Sequence, residues 1–377
     1  MIRPQAERRW TVVQLVPAMN TGGAERSTLE IGQALVAAGH RSIVISAGGS
    51  WVPTLLAQGS EHIVFSTGEK SLSSVMRLPA LRRLLKAIKP DLIHARSRLP
   101  AWMARIVRRT LWPKPAFVTT VHGLNSVNRY SEVMTRGDRV IVVSETTLRH
   151  VCRHYPAVDR TRLRLIPRGV DAEQFPADHV PSDAWREQFF ADFPALSGRR
   201  ILTLPGRGSR LKGHVDAIGL LASLRERGID AALLLLGVLE SDRGHYVQEI
   251  KDLAIAREVA DFVVCAAARD DVREVYAISD VVLQLSHRPE SFGRVVTEAL
   301  HMNRPVVGYD HGGVGELLRA AFPAGSVSLR DAESLANVTE HVLRESHPIQ
   351  RTAIPTLSDM QRMTLNVYAE LLDGTPP

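Results

Sequence analysis

Two acidic residues, Glu290 and Glu298, stand with seven residues between them in the stretch PESFGRVVTEAL, residues 289–300. Glu290 precedes a short Ser-Phe-Gly turn, and Glu298 lies about two turns into a stretch that reads as a helix. Gly293 is near the predicted start of that helix, where free backbone amides and the helix dipole attract phosphate. Taken alone, each acid is better explained as a helix cap or a solvated surface residue.

A second candidate site for an anion is the stretch LPGRGSRLKG, residues 204–213, which joins a predicted strand to a predicted helix. It differs from a dinucleotide-binding GxGxxG loop because Leu211 takes the third glycine position, and from a Walker loop because no Ser or Thr directly follows its lysine. What remains is a pair of cations, Arg207 and Lys212. One basic residue there is best read as a surface charge, whereas two in one glycine-bearing loop favour an anionic ligand.

A third glycine loop, DHGGVGELL at 310–318, follows the next predicted strand, and its simplest interpretation is a strand–helix turn. Three such loops after three strands of one domain indicate a ligand that carries phosphate. The strands that would position them alternate with helices along the whole chain, which is typical of parallel sheets covered on both faces. Predicted strands cover residues 11–16, 42–47, 62–66, 91–95, 116–122, 139–144, 163–167, 200–205, 231–237, 261–265, 281–286, 305–309 and 326–329.

The series of strands restarts at Arg200, after a polar stretch at 169–185 that reads as a linker. We therefore expect an α/β protein with two doubly wound Rossmann-like domains facing across a cleft. Ligands of such sheets bind beyond the carboxyl ends of the strands. The predicted divisions are a first domain at 1–175, a second domain at 190–355, and a C-terminal helical segment at 356–377.

Several motifs together resemble those of the retaining GT-B glycosyltransferases of family 4, also called glycosyl transferases group 1, of the lipopolysaccharide-core type. The resemblance covers about residues 11–330. The stretches that carry it, in the family's order, are NTGGAER (20–26), TTVHGL (119–124), VIVVSETTLR (140–149), LIPRGVD (165–171), PGRGSRLKG (205–213), PESFGRVVTEAL (289–300) and HGGVGEL (311–317). Each motif is weak singly, and jointly they are specific.

The resemblance implies that the domain at 1–175 binds the acceptor, that the domain at 190–355 binds a nucleotide sugar, and that the segment at 356–377 returns to the first domain. It also implies roles for the two acids and the two cations. Glu298 would bind the ribose hydroxyls of a nucleotide sugar, and Glu290 would lie beside the donor sugar. Arg207 and Lys212 would neutralise the departing diphosphate, because preorganised cations stabilise charge that develops in a transition state. His122 would lie near the reaction centre, although an isolated histidine is more often a packed or capping residue.

The resemblance also implies a set of donor-binding backbone groups. The loop at Gly22 and Gly23 would let the backbone approach donor and acceptor, and amides after Glu290 would meet the sugar or the diphosphate. The members of this second group, with the acid already named, are Phe292, Gly293, Arg294, Val295 and Glu298. His94 and Arg96, at the end of another predicted strand, are weaker candidates for the acceptor site.

Three residues depart from the family pattern. Ser291 stands where glycine is frequent, Arg294 where an aliphatic residue is frequent, and Arg168 where asparagine is frequent. These departures leave the donor sugar open among glucose, galactose and N-acetylglucosamine, with glucose from a UDP-sugar the expected donor. The chain has no Asp-x-Asp, so we expect neither a catalytic metal nor a cofactor.

The charge of the chain is uneven. Residues 1–175 hold 26 Lys and Arg against 12 Asp and Glu, a balance of +14, whereas residues 176–377 hold 21 against 28, a balance of −7. Two basic amphipathic stretches, 77–89 and 101–112, lie in the positive part, and helices that cover a sheet would show the same pattern. The charge concentration favours a membrane surface and an anionic glycan or glycolipid acceptor. Nucleic acid is not expected, since no aromatic-rich basic motif is present.

The cysteines and the N-terminus bear on location. Cys152 and Cys265 form no CxxC pattern, the N-terminal residues lack the apolar run of a secretory signal, and no apolar run is long enough to span a membrane. The expected location is the cytoplasm, at the periphery of the inner membrane.

The expected activity is metal-independent, retaining hexosyl transfer (EC 2.4) from a nucleotide diphosphate sugar to a lipopolysaccharide core or a similar acceptor. A sugar-nucleotide epimerase of the same fold and a two-domain sugar-binding protein are the alternatives. The missing signal sequence argues against the second of these.

Overall fold

The structure, a computed structural model, describes residues 8–20, 22–67, 75–239 and 244–374. The chain forms two compact units, and each is built around its own parallel sheet. Unit 1 comprises residues 1–168 and 357–377, and unit 2 comprises residues 169–356. The first unit therefore ends at Arg168, before the predicted boundary at 175, and the polar stretch that follows belongs to the second unit.

Unit 1 contains a seven-stranded sheet among its described residues, with strand order β3-β2-β1-β4-β5-β6-β7 and every pair parallel. Its strands are β1 Thr11–Leu15, β2 Arg41–Ser46, β3 Glu61–Val64, β4 Leu92–Ala95, β5 Ala116–Val121, β6 Arg139–Val142 and β7 Leu163–Leu165. Its helices before the second unit are α1 Gly23–Ala37, α2 Val52–Ala57, α3 Leu78–Ile88, α4 Arg98–Arg108 and α5 Glu145–His154.

Unit 2 contains a six-stranded sheet among its described residues, again parallel throughout, with strand order β10-β9-β8-β11-β12-β13. Its strands are β8 Arg200–Pro205, β9 Ala231–Leu236, β10 Val263–Ala266, β11 Val281–Gln284, β12 Val306–Tyr309 and β13 Ser326–Val327. Its helices are α6 Asp183–Asp192, α7 His214–Glu226, α8 Gly244–Ala256, α9 Val272–Ile278, α10 Arg294–His301, α11 Gly312–Ala321 and α12 Ala332–Arg344.

Strand β9 shows why these sheets form. Its sequence AALLLL is apolar at every position, and all six residues are buried. A strand can bury consecutive residues only if both faces of its sheet are covered, and crossover helices supply that cover in parallel sheets. Each fully buried leucine contributes roughly 1.5–3 kcal/mol relative to exposure. The predicted fold class, an α/β protein with two doubly wound domains, is confirmed.

The strand orders place two loops side by side in each unit. β1 lies next to β4 in the first sheet, and β8 lies next to β11 in the second, although neither pair is consecutive in the chain. The chain connections that follow the two strands of such a pair run to opposite sides, which opens a crevice at the carboxyl ends of the strands. The loops after β8 and β11 carry Arg207, Lys212 and Glu290, so the topology brings these side chains to one place.

The last helix, α13 Leu357–Leu372, packs within unit 1. Met360, Val367 and Tyr368 are buried there in one apolar cluster with Trp10 and Ile31. This helix therefore belongs to the same unit as β1.

The basic helix α3 corrects part of the membrane hypothesis. Leu81 and Leu85 are fully buried, and Leu78, Leu84 and Ile88 pack against the same core. The apolar stripe of this helix therefore covers the sheet and cannot enter a lipid surface. No helix among the described residues has the length and hydropathy that crossing a membrane requires.

Candidate active site

A cleft of about 250 Å³ opens at the carboxyl ends of β8 and β11 in unit 2. Three of the residues predicted to act on the donor, Arg207, Lys212 and Glu290, line it together. The remaining lining residues are Ser209, Leu211, Ser286, Arg288 and Pro289. The cleft thus carries three cationic side chains against one carboxylate, so its walls favour an anionic ligand.

Lys212 and Glu290 form an ion pair inside this cleft. The Nζ atom of Lys212 donates to Oε1 of Glu290 across 2.6 Å, and both side chains are about a quarter exposed. The hydroxyl of Ser286 lies 2.7 Å from the same carboxylate oxygen. Arg207, by contrast, is exposed and has no hydrogen-bond or ion-pair partner among the residues that the structure describes. One cation is therefore held in place, and the other is available to a ligand.

Gly213 allows the two loops of the cleft to approach each other. It caps the start of α7 with φ +78°, a left-handed conformation that favours glycine. A Cβ atom on this residue would lie only 2.1 Å from the carbonyl oxygen of Leu285, at the end of β11. The glycine that follows Lys212 in the motif therefore has a steric role as well as a conformational one.

The glycines of the third loop pack against the backbone of the second loop. Gly312 adopts φ +62°, and a Cβ there would lie 2.6 Å from the carbonyl oxygen of Glu290. The amide of Gly313 donates to that same oxygen across 2.8 Å. These glycines let the third loop support the backbone of the second, so they position Glu290.

A polar cluster behind the cleft ties its elements together. Nε2 of His287 lies 2.7 Å from Oδ2 of Asp216, on α7, and the hydroxyl of Tyr309, on β12, donates to the same oxygen. The amide of His287 also donates to the carbonyl oxygen of Leu211 across 2.8 Å. Burial, together with the adjacent Asp216 carboxylate, raises the pKa of Tyr309, which stays protonated as a donor. The cluster fixes the spacing of the two cleft loops.

The other residues predicted to bind the donor follow Glu290 in the chain. Gly293 caps α10, and Arg294 and Val295, which are half-buried, form its first turn. Phe292 and Glu298 are nearly buried, with 6% and 7% of their surfaces exposed. Of the residues that the structure describes, these five are not among those that line the cleft.

In unit 1 the predicted catalytic histidine, His122, follows β5 and meets Arg168. A guanidinium nitrogen of Arg168 lies 3.2 Å from Nδ1 of His122, and Arg168 is 5% exposed. Because a guanidinium only donates, Nδ1 accepts, and the proton of the neutral ring is on Nε2. The departure from the family pattern at Arg168 therefore gives the histidine a defined tautomer.

Two weaker candidates of unit 1 lie in its core. His94 is fully buried, with Nδ1 2.6 Å from the hydroxyl of Tyr368 and Nε2 2.7 Å from that of Thr120. Arg96 is 2% exposed, and its guanidinium donates to Oε1 of Gln14. Burial holds the pKa of His94 well below its usual value. Neither side chain is on a surface where an acceptor could bind, so the acceptor-site interpretation of this pair was wrong.

The predicted glycine loop of unit 1 joins β1 to α1. Gly23 is the first residue of α1 and Gly22 precedes it in extended conformation, while Thr21 of the same motif lies outside the described residues. The loop follows β1, which lies next to β4 where the strand order reverses. It therefore lies at the position where doubly wound sheets bind ligands.

Sequence reasoning missed Ser286 and the Asp216–His287–Tyr309 cluster. Ser286 and His287 follow Leu285, shortly after the end of β11 and before the recognised Glu290. Polar residues that directly follow a buried strand at the switch point of a doubly wound sheet were the available signal. Asp216 had no such signal, because an acid in the first turn of a helix is usually explained by the helix dipole.

Comparisons with known proteins match both parts of the chain to glycosyltransferase families. The Glycosyltransferase Family 4 model matches residues 21–174, and the Glycosyl transferases group 1 model matches residues 186–354. N-acetyl-alpha-D-glucosaminyl L-malate synthase of Bacillus anthracis is 23% identical over 346 residues, which cover 86% of each chain.

Two solved structures are similar over nearly the full length. The crystal structure of a glycosyltransferase from Rickettsia africae ESF-5 has a TM-score of 0.87 and 26% identity, and covers 97% of this chain and 100% of that one. Anabaena HepE in complex with UDP and glucose has a TM-score of 0.76 and 19% identity, covering 97% and 98%. The chain therefore belongs to the glycosyltransferases, with a family 4 first part and a group 1 second part on two doubly wound sheets.

Proposed function

We propose that this glycosyltransferase moves a hexose, expected to be glucose, from a UDP-sugar to an anionic glycan or glycolipid, with retention of the anomeric configuration. The observation that carries the proposal is the cleft at β8 and β11, which holds Arg207 and Lys212 beside Glu290. The complex of Anabaena HepE with UDP and glucose supports a uridine donor by similarity.

The cations of the cleft suit the departure of a diphosphate. When the bond between the sugar C1 and the diphosphate oxygen breaks, the electron pair stays on the diphosphate, and negative charge develops there. Preorganised cations stabilise such charge without reorganisation during the reaction. Arg207 is available for this task, and Lys212 is held by Glu290 until the more highly charged diphosphate competes for it.

The two acids take different parts of the donor in this proposal. Glu290, in the cleft, faces the sugar, where a carboxylate stabilises a cationic oxocarbenium-like state. Glu298, in α10, binds the ribose hydroxyls, and the amides of Phe292 and Gly293 bind the sugar or the diphosphate, with Arg294 and Val295 completing the first turn. The helix N-terminus at Gly293 supports the anion-binding part of this assignment.

Transfer with retention requires the acceptor hydroxyl to attack C1 from the side that the diphosphate leaves. The acceptor oxygen forms a new bond to C1, and its proton passes to the departing phosphate oxygen, so atoms and charge balance. No assured nucleophile for a covalent intermediate is present among the residues that the structure describes, and the front-face route is the one that the family resemblance implies. We expect His122, which carries its proton on Nε2, to donate a hydrogen bond to the transferred sugar.

The proposal needs neither a metal nor a cofactor at the cleft. The charge of the diphosphate is matched by Arg207, Lys212 and Arg288, which line it. The sequence has no Asp-x-Asp pair that would hold a divalent cation beside the phosphates.

The proposed acceptor is anionic and lies at a membrane surface, as a lipopolysaccharide core on the inner membrane would. The balance of +14 in residues 1–175 supports this part. On α4, burial and then the neighbouring Arg109 and Arg136 lower the pKa of Arg105, which marks a cluster of like charges. Trp112, after the same helix, is 95% exposed. The relative from Bacillus anthracis is named for a product that contains malate, which is also an anion.

The experiment that tests this function has two steps. Thermal shift with a panel of nucleotide sugars first identifies the donor, and UDP-glucose is expected to raise the melting temperature. Turnover is then followed with acidic glycolipid acceptors, with release of UDP and the anomeric configuration of the product read by nuclear magnetic resonance.

Two outcomes would favour the alternatives. Conversion of the sugar nucleotide to an epimer without any acceptor would identify a sugar-nucleotide epimerase. Stabilisation by free sugars, with no effect of nucleotides, would identify a sugar-binding protein.

A further inference from the structure

The end of helix α12 carries a cluster of metal-ligating side chains that the proposed reaction does not use. His341, Glu345 and His347 each offer one ligand atom, and these atoms lie within 4.8 Å of one another. None of the three lines the cleft at β8 and β11. We propose that they form a zinc site that stabilises unit 2.

The first two ligands owe their position to the helix. His341 and Glu345 are four residues apart, which places their side chains on one helix face. Nδ1 of His341 lies 3.4 Å from Oε1 of Glu345. Two atoms bound to one tetrahedral zinc ion at about 2.0–2.1 Å are separated by about 3.3 Å. This pair therefore already has the separation of two ligands on one ion.

The third ligand comes from the segment after the helix. The rings of His341 and His347 have centroids 4.5 Å apart and are tilted by 55°. Nε2 of His347 is buried and has no hydrogen-bond partner among the described residues, a costly arrangement for a polar atom. Its ring also meets the edge of Phe322, which restricts its orientation. An imidazole with an unused nitrogen therefore stands beside the pair.

The arginine next to Glu345 in the chain does not compete with a metal ion for the Glu345 carboxylate. Arg344, the cation that precedes Glu345 in the chain, is paired instead with Glu340 across 2.8 Å. His341 and Glu345 are both more than half exposed, so an ion can reach them.

The ligand types select the metal. Two imidazoles and one carboxylate form a His₂Glu set, which suits zinc, whereas magnesium and calcium prefer oxygen ligands alone. A water molecule would complete the tetrahedron. The bound ion would join the end of α12 to the segment that follows it, and would add to folding stability because it binds only the folded arrangement.

The test uses the whole chain, freed of metal by dialysis against chelator and then titrated with zinc chloride. We expect one zinc ion per chain and a rise in melting temperature of about 3 °C at saturation. The variants His341→Ala, Glu345→Gln and His347→Ala should each lose most of the bound zinc and most of the rise.

The chain offers a matched control on α8. His245 and Glu249 form the same four-residue pair, with Nδ1 and Oε1 2.8 Å apart, and they belong to no three-ligand cluster among the described residues. His245→Ala should therefore keep the zinc content and the rise of the parent. Circular dichroism of each metal-free variant distinguishes lost binding from lost folding, and Glu345→Gln, which keeps the side-chain volume, covers the case in which a histidine variant unfolds.

Three results would overturn the site: no zinc retained by the parent, equal zinc in the parent and the three cluster variants, or loss of zinc in His245→Ala. Zinc-dependent dimers in size-exclusion chromatography, with half an ion per chain, would also overturn it, because the ligands would then come from two chains. None of these readouts uses turnover, so the result stands apart from the proposed function.

Discussion

Nζ of Lys212 lies 2.6 Å from Oε1 of Glu290, and this pair joins the loops after two strands that are neighbours in the sheet but far apart in the chain. Ser286 contacts the same carboxylate oxygen, and the carbonyl oxygen of Glu290 accepts from the amide of Gly313. Side chain and backbone of the acid are therefore both fixed before any ligand binds. Such preorganisation is what electrostatic stabilisation of a departing group requires.

The cations of the cleft should control turnover. Arg207→Ala and Lys212→Ala should each lower kcat at least about 100-fold, the scale on which one preorganised donor acts in a transition state. Arg210→Ala is the matched control, because Arg210 belongs to the same loop but pairs with Glu249 and does not line the cleft. Steady-state kinetics with the identified donor measure all three variants. Near-normal kcat in both cleft variants would remove these cations from the mechanism.

Gly213 should be required for folding of the cleft. Gly213→Ala should destabilise the protein by at least about 2 kcal/mol, since alanine resists the left-handed conformation and its Cβ would contact Leu285. Gly219→Ala is the opposite case, because a Cβ there meets nothing within 4 Å and the residue lies inside α7. That change should stabilise by roughly 0.5–1 kcal/mol. Thermal melts should therefore shift in opposite directions, and equal shifts would refute the steric argument.

The fold was predictable because many of its strands have a clear apolar pattern in the sequence. All thirteen predicted strands are present. The clearest are short apolar runs such as AALLLL, which only a covered parallel strand can bury. The motif residues Arg207, Lys212 and Glu290 were predictable as a group, because loops after neighbouring strands meet at the switch point.

The sequence did not reveal which side chains point into the core and which point to the surface. His94 and Arg96 end a strand as a functional pair would, yet they point into the core and bond to Tyr368, Thr120 and Gln14. The basic helix α3 has the same pattern whether its leucines meet a sheet or a membrane, and packing against the sheet decided between them.

Stability should fall as the solution is acidified through the range in which histidine titrates. Burial lowers the pKa of His214 to about 4, against 6.5 in an unfolded chain. Between these values the unfolded chain binds more protons, so the free energy of unfolding decreases as the pH falls from 6.5 to 4, by about 3 kcal/mol for this group. His94 adds to the effect in the same direction.

The variant His214→Asn tests this origin, because asparagine retains a polar atom toward Tyr246 but does not titrate. The melting temperature of the variant should depend less steeply on pH than that of the parent between pH 6.5 and 4. If the melting temperatures of the two proteins depend equally on pH, other groups cause the acid sensitivity.

Turnover should persist after removal of divalent metal. The cations that line the cleft take the place of a metal ion beside the diphosphate, so kcat in excess EDTA should stay within about twofold of the untreated enzyme. The same treatment should lower the melting temperature if zinc occupies the site at His341, Glu345 and His347. Activity that vanishes with EDTA and returns with magnesium or manganese would contradict the metal-free mechanism.

Binding to anionic membranes should depend on the outer faces of α3 and α4 and not on their apolar stripes. The side chains of four exposed or half-exposed basic residues have no hydrogen-bond or ion-pair partner among the residues that the structure describes: Arg83 and Lys86 on α3, Arg105 on α4, and Arg109, which caps α4. Arg108 is excluded because it pairs with Asp138 and donates to the carbonyl oxygen of Pro115. Each basic residue near an anionic leaflet adds about 1 kcal/mol, so reversing all four charges should release the protein from vesicles of anionic lipid.

Vesicle flotation over a salt series measures this binding, with neutral vesicles for comparison. The matched control reverses four exposed basic residues of unit 2, which changes the net charge equally: Arg186, Lys251, Arg257 and Arg330. That control should still float with anionic vesicles, whereas the four changes on α3 and α4 should abolish flotation and leave the thermal shift with UDP-sugar intact. Equal flotation with neutral and anionic vesicles, or binding that high salt does not weaken, would reject the electrostatic contact. Release by both sets of reversals would show that net charge alone acts, without a membrane-facing surface on unit 1.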